Sequence, residues 1–473
     1  MKRLLALVSL SLSILALAGC DNDDLLQWSP DGKTFTVVKD NTLKLGTPDG
    51  KLSNTILEGA EFSRWLPDSK HALVSTGRST LNWIEVQKLL SPAEQMAVKK
   101  MATKVWQKRY IFENQPYQME ALMYLKHSHG SAAYNERFRR LIADTKNMPA
   151  FAEIDEIKLV DITDATAPKR QLLWQTLHSI SDLRVSPKGD AAAISIREDD
   201  KNEIAILPVS GNRSLVTVAT NASNPDWSAD GHSLYFIART QIDDKKTYAE
   251  VVNKIPEPYQ EKLMRVDITD ATGKLLSKVQ EPKTIATVLA NGTNRVRCIS
   301  DGSIIFDASE KTFPSTSDSK PRSLLFRLKP DQKSIEPITG SADLPINSLD
   351  TFEPNKDGTF VACYGREGEV AVLDISTGKV TKLEPANKRE LSFSPQWRSN
   401  DELCFLSKQD KSGGGHDYDL VLQSVKDFNQ RTVLSKDWSV AEYPFLVKPK
   451  EEKTKDVPAK SKLNAAKDSK KRK

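Results

Sequence analysis

Near the end of the chain, Ser412-Gly413-Gly414-Gly415-His416-Asp417 gathers a hydroxyl, an imidazole and a carboxylate, the residue types of nucleophilic catalysis. That chemistry needs a base held in one orientation, and consecutive glycines do the opposite. The segment reads as a flexible loop between two strands. His127 and His129 could offer two nitrogens to a metal, but residues two apart on a helix point to different faces. A surface turn is expected there. Asp199-Asp200 and Asp243-Asp244 could meet a cation and read as solvated hairpin tips. No Gly-x-Ser-x-Gly elbow, Walker loop, His-Glu-x-x-His helix or paired Cys-x-x-Cys occurs. The expectation is therefore a protein with no catalytic residues, no metal and no cofactor, and not an enzyme.

One cysteine has a setting that points to modification. Lys2 and Arg3 form a positive start, Leu4 to Leu17 is an apolar run broken by three serines, and Leu17-Ala18-Gly19-Cys20 follows. The run is short for a membrane span and fits a signal segment. The whole stretch resembles the bacterial lipoprotein lipobox. The resemblance implies that residues 1–19 are removed as a signal peptide and that Cys20 carries acyl chains such as palmitate. Several chains anchor stably where one does not. In enterobacterial lipoproteins an aspartate at the position of Asp21 favours retention at the inner membrane. The body is thus expected outside the cytoplasm, in the periplasm or beyond, tethered to one leaflet. Cys298, Cys363 and Cys404 each lie in an apolar, strand-like run and read as buried small hydrophobes.

The elements that would position such groups are announced by a recurring turn. Trp28-Ser29-Pro30-Asp31-Gly32, Trp65-Leu66-Pro67-Asp68-Ser69, Val185-Ser186-Pro187-Lys188-Gly189, Trp227-Ser228-Ala229-Asp230-Gly231, Ile299-Ser300-Asp301-Gly302 and Pro354-Asn355-Lys356-Asp357-Gly358 each precede a β-rich run. A stretched seventh copy runs from Phe393-Ser394-Pro395 through Asn400-Asp401. Proline fixes φ for a type I turn, aspartate bonds its own backbone, and glycine takes the left-handed position that closes a hairpin. A second hairpin follows each copy. Leu159–Thr166 and Val266–Thr272 are near copies of one another at the same place in two units. The unit is four strands, the size of a propeller blade once insertions are removed.

This pattern resembles the TolB-like propeller family, relatives of the WD-repeat propellers. The resemblance implies an all-β, seven-bladed β-propeller over residues 20–447 and leaves function open, because the fold serves as scaffold, receptor and enzyme appendage. The family's namesake has a separate domain before its propeller. Here the first turn begins eight residues after Cys20, so that domain is expected to be absent. The widest gap, between Asp68 and Lys188, predicts a helical insertion in the second blade over about 84–150. Ser91-Pro92-Ala93-Glu94 is a capping-box start, and helical runs are expected near 116–126 and 132–144. A shorter excursion is expected near 242–261.

Of 473 residues, 38% are hydrophobic and 28% charged, which suits a protein folded in water. The net charge of +5 is carried by the ends: 448–473 holds eleven Lys/Arg against four Asp/Glu, leaving the body mildly acidic. That excludes a nucleic-acid partner on composition. The basic tail is expected to be disordered, either touching an anionic surface or solubilising the end. The expected function is a lipid-anchored, protein-interaction scaffold of the cell envelope with an envelope protein as partner. The alternative is a binder or enzyme that uses the central funnel on a glycan or peptide. Oligomeric state is left open.

Overall fold

The computed structural model describes residues 26–438, apart from 40, 81, 97–151, 165, 199–200, 211–213, 240–259, 290–294, 310–322, 331–334, 345–348, 366–368, 384–390 and 411–415. The described strands form seven separate four-stranded antiparallel sheets, each built from four strands consecutive in sequence. These blades span Leu26–Glu58, Ala60–Thr176, Ser179–Thr220, Ala222–Leu289, Val296–Pro337, Leu349–Leu383 and Leu391–Trp438. The first strand of each blade packs against the first strands of its neighbours and so lies innermost.

The apolar runs are continuous where a strand is covered on both faces. In Ala191–Glu198 of blade 3, Ala192 and Ile194 join a core with Leu73, Ile157 and Leu183, which includes blade 2. Ala191 and Ala193 point the other way, into a core with Trp227, Phe236 and Val266 of blade 4. The same alternation repeats, giving one apolar cluster for each of the seven blade-to-blade contacts. The ring closes by this packing and by Arg398 Nε, which donates to Gly32 O at 3.2 Å. Leu26, Trp28, Phe35 and Val37 of blade 1 meet Cys404, Leu406 and Leu420 of blade 7, with no strand exchanged across the seam among the described residues.

The turns join first to second strands, all at one end of the ring. Gly32, Gly189, Gly231, Gly302 and Gly358 have φ between 67° and 81° and each closes its turn by donating to the carbonyl three residues earlier. In the second copy Ser69 takes φ 55° instead. In the seventh, Pro395 lies inside the strand Leu391–Trp397, and the turn falls later, at Arg398–Asp401. The two near copies end the third strands of blades 2 and 4, at Asp161 and Asp267.

The insertion interrupts the hairpin between the second strand of blade 2, His71–Thr80, and the third, Ala152–Asp161. It therefore leaves the ring at the end away from the turns. Its described part holds two short helices, α1 (Trp83–Gln87) and residues 92–96. The capping box forms: Ser91 N donates to Glu94 Oε2 at 2.7 Å, and Glu94 N donates to Ser91 Oγ at 3.3 Å. Arg78 binds Glu85 and, at 2.8 Å, Glu156, which fixes α1 to the blade. The remaining expected helices, the excursion at 242–261, residues 1–25 and the tail fall outside the described residues.

Candidate functional site: the axial channel

The penultimate residue of every innermost strand occupies the same level of the ring: Gln27, Arg64, Arg184, Asp226, Arg297, Glu353 and Gln396. All seven are polar and five are charged. Indole donors fix the level. Trp65 Nε1 donates to Gln27 O at 3.0 Å, Trp227 Nε1 to Arg184 O at 2.9 Å and Trp397 Nε1 to Glu353 O at 2.8 Å. Each tryptophan thus clamps the backbone of a ring residue in the preceding blade. At the seam Trp28 Nε1 is buried without an oxygen acceptor, and the Arg398 guanidinium lies 5.2 Å from its ring centroid.

The side chains at this level pair across blades. Arg297 Nε lies 2.8 Å from Glu353 Oε2. Arg64 Nη2 and Arg184 Nε lie 3.6 and 3.5 Å from Asp182 Oδ1. Arg295, two residues before Arg297, donates to Thr351 Oγ1 at 2.5 Å. Asp226 Oδ2 accepts from Cys298 N at 2.7 Å. Burial alone would raise the Asp182 carboxyl, but Arg184 and Arg64 outweigh it and hold it below the usual range. Glu353 is likewise held down against burial by Arg297 and Arg184. Asp226 goes the other way: burial pushes it up, and the charges of Arg297 and Arg184 offset this only in part. Between these side chains lies an axial cavity of about 40 Å³, bounded by Gln27, Arg184, Arg295, Arg297, Thr351, Glu353, Pro395 and Gln396.

At the other end of blade 2, Glu61 and Asp155 both approach Gly77. Ser75 Oγ donates to Glu61 Oε2 at 3.1 Å, and Ile180 N donates to Asp155 Oδ2 at 2.9 Å. Burial first, then the charge of Asp155, pushes Glu61 up to about 7. Burial raises Asp155 to about 6 despite its backbone donor.

The sequence candidates fall mainly elsewhere. Pro30, Asp31, Pro67, Asp68, Pro187, Asp230, Asp301 and Asp357 sit in the turns with the glycines above. There Asp31, Asp230, Asp301 and Asp357 accept from the backbone N of Lys33, His232, Ser303 and Thr359. His416 and Asp417 open a strand of blade 7 whose partner ends at Asp410, and the stretch 412–415 lies outside the described residues. Cys20, Asp21, His127, His129 and both acidic pairs fall outside the described residues. Cys298, Cys363 and Cys404 are free thiols. Burial pushes Cys404 up to about 12, so it is a packed thiol rather than a nucleophile. Among the described residues no three His, Cys, Asp or Glu side chains assemble to hold a metal ion, and no helix is long and apolar enough to cross a membrane. The level of polar side chains was missed in the sequence. Its signal is the residue just before Trp28, Trp65, Trp227 and Trp397, polar each time.

The chain is a seven-bladed β-propeller. No protein-family model matches the sequence, and no curated protein matches it. Solved structures similar to it include TolB from Acinetobacter baumannii, at 18% identity and a TM-score of 0.37 over 59% of this chain and 58% of that one. They also include the β-propeller domain of the Trilobed protease from Pyrococcus furiosus, at 10% identity and TM-score 0.47 over 86% and 95%. A third is Pyrococcus horikoshii acylaminoacyl peptidase, at 16% identity and TM-score 0.38 over 57% and 40%. This chain thus spans little more than half of the TolB chain and two fifths of the peptidase. The fold rests on the strands counted above rather than on these likenesses.

Proposed function

We propose that this propeller is a lipid-anchored binding protein of the bacterial cell envelope, a scaffold that receives its partner at the turn end of its channel. The observation behind this reading is the level of charged and amide side chains at the axis, to which all seven blades contribute. The acids Asp182 and Glu353 are held ionised by arginines, an arrangement that favours recognition over proton transfer. The lipobox at Cys20 supports the anchor and the envelope address. A second reading, an enzyme acting on a glycan or peptide at the same mouth, draws on Asp226, whose raised carboxyl suits a general acid. In cells fed an alkyne-tagged palmitate, the wild-type chain is expected to take the label and sediment with membranes, and Cys20→Ser to do neither. Cross-linking in detergent-solubilised membranes is expected to capture a partner that is lost when Gln396→Trp fills the mouth. Capture of nothing, with or without residues 84–150, refutes the scaffold.

A further inference from the structure

We propose that Glu61 and Asp155 form an acid-sensitive latch at the root of the blade 2 insertion, closed while the pair carries a proton and released when both carboxyls ionise. The latch lies toward the end of the ring away from the turns, and it holds whatever the channel mouth receives.

The backbone is built to seat the first carboxyl. Ala60 pairs with Thr76 and Phe62 with Ser75, so Glu61 is the extra residue of a bulge, a device that re-aims a side chain. Its carboxyl lies over Gly77, where a Cβ would stand 2.6 Å from Glu61 Oε1, and the absence of a side chain there gives it room. Gly77 N donates to Gly59 O at 2.9 Å, which ties the strand to the link from blade 1. Asp155 pairs with Gly77 from the third strand, and its Oδ1 lies 3.8 Å from the same Cβ position. Its Oδ2 accepts from Ile180 N of blade 3 at 2.9 Å. The pair thus touches both strands that flank the insertion and the innermost strands of blades 2 and 3.

Two buried acids at one point need a cation or a proton, and among the described residues no cation acts on them. Glu153, on the same strand as Asp155, adds a further negative charge to both. Arg78, next to Gly77, binds Glu85 and Glu156 instead. From blade 3, Asp182 is held by Arg64 and Arg184, and His178, in the link before Ile180, acts on neither carboxyl. Ionising both would leave two enclosed negative charges with only Ser75 Oγ and Ile180 N donating to them. Burial, then the charge of Asp155, keeps the proton on Glu61 up to about 7, and burial keeps that on Asp155 up to about 6. Loss of the last proton drives the Glu61 carboxyl toward water. That unseats the bulge and loosens the strand whose Arg78 holds α1.

The test is backbone hydrogen exchange of the full chain in detergent, read by mass spectrometry at about pH 5 and about pH 8 and corrected for intrinsic rates. Protection over His71–Thr80 and Ala152–Asp161 is expected to fall at least about tenfold between the two, and protection over Phe360–Gly365 of blade 6 to fall less. Glu61→Gln keeps the shape of a protonated carboxyl and is expected to stay protected at the higher pH. Glu153→Gln, at an exposed position beside the pair, is expected to keep the wild-type fall. A second measurement needs no variant: with carbon-13 at the glutamate carboxyls, one resonance is expected to titrate near about 7. The proposal fails if wild-type protection is the same at both pH values, if blade 6 falls equally, if Glu61→Gln repeats the wild-type fall, or if every glutamate titrates in its ordinary range near about 4.

Discussion

Single side chains carry much of the alignment between blades. Trp65 spans from blade 2 to the backbone of blade 1, and Trp227 and Trp397 do the same elsewhere. Trp65→Phe keeps most of the ring volume and removes the indole donor. It is expected to cost about 1 kcal/mol, since the Gln27 carbonyl loses its indole donor and keeps only the longer bond from Thr36 Oγ1 at 3.3 Å, as read from chemical denaturation. The Glu61 and Asp155 carboxyls make a second case. Both are raised in the folded chain by burial, so the folded state binds more protons than the unfolded chain does. Their contribution to stability is present in full below the ordinary carboxylate range near 4. It is lost as pH rises through about 6 and then about 7. Stability is therefore expected to fall between about pH 4 and 7, and Glu61→Gln to flatten that slope. A slope unchanged in Glu61→Gln would show that the proton uptake lies elsewhere.

Turns and strands show which parts of this molecule a linear reading can reach. Gly32 needs its φ of 67°, and a Cβ there would stand 2.9 Å from Arg398 O of blade 7. Gly32→Ala is expected to cost at least 1–2 kcal/mol in the unfolding free energy, from the left-handed backbone and the close approach together. Ser91→Ala removes one half of a capping box on an exposed turn. It is expected to cost about 1 kcal/mol of local helix stability, visible as faster amide exchange over 92–96 with little change in global Tm. The blades were legible because proline, aspartate and glycine act within four residues of themselves, so seven copies could be counted without partners. The insertion was placed by its interval and by Ser91 and Glu94. The axial side chains were not legible, because their meaning depends on stacking. Arg297 and Glu353 sit 56 positions apart and meet only when blade 5 lies beside blade 6. A residue one place before each turn looked like strand filler until all the innermost strands were set around one axis.

One contact of the ring joins blades that are not consecutive in the chain. Among the described residues blades 1 and 7 exchange no strand, and apolar packing around Phe35, Leu406 and Leu420, with Arg398 Nε donating to Gly32 O at 3.2 Å, closes the circle. Phe35→Ala is expected to cost 3–5 kcal/mol. Native-state hydrogen exchange is expected to show Leu26–Trp28 opening before the innermost strand of blade 3, Ser179–Val185. Equal protection of the two would mean that the seam is no weaker than its neighbours. Strand direction has a consequence for orientation. Every innermost strand runs toward the turns, so Leu26 enters the ring at the end from which the insertion leaves. Leu26 follows Cys20 by six residues, a reach of roughly 20 Å when extended. With Cys20 acylated, such a short leash holds the helices of blade 2 next to the headgroups and turns the arginines toward the aqueous compartment. A fluorophore at Ile84, which is exposed, is then expected to be quenched by brominated lipid more strongly than one at Asp357.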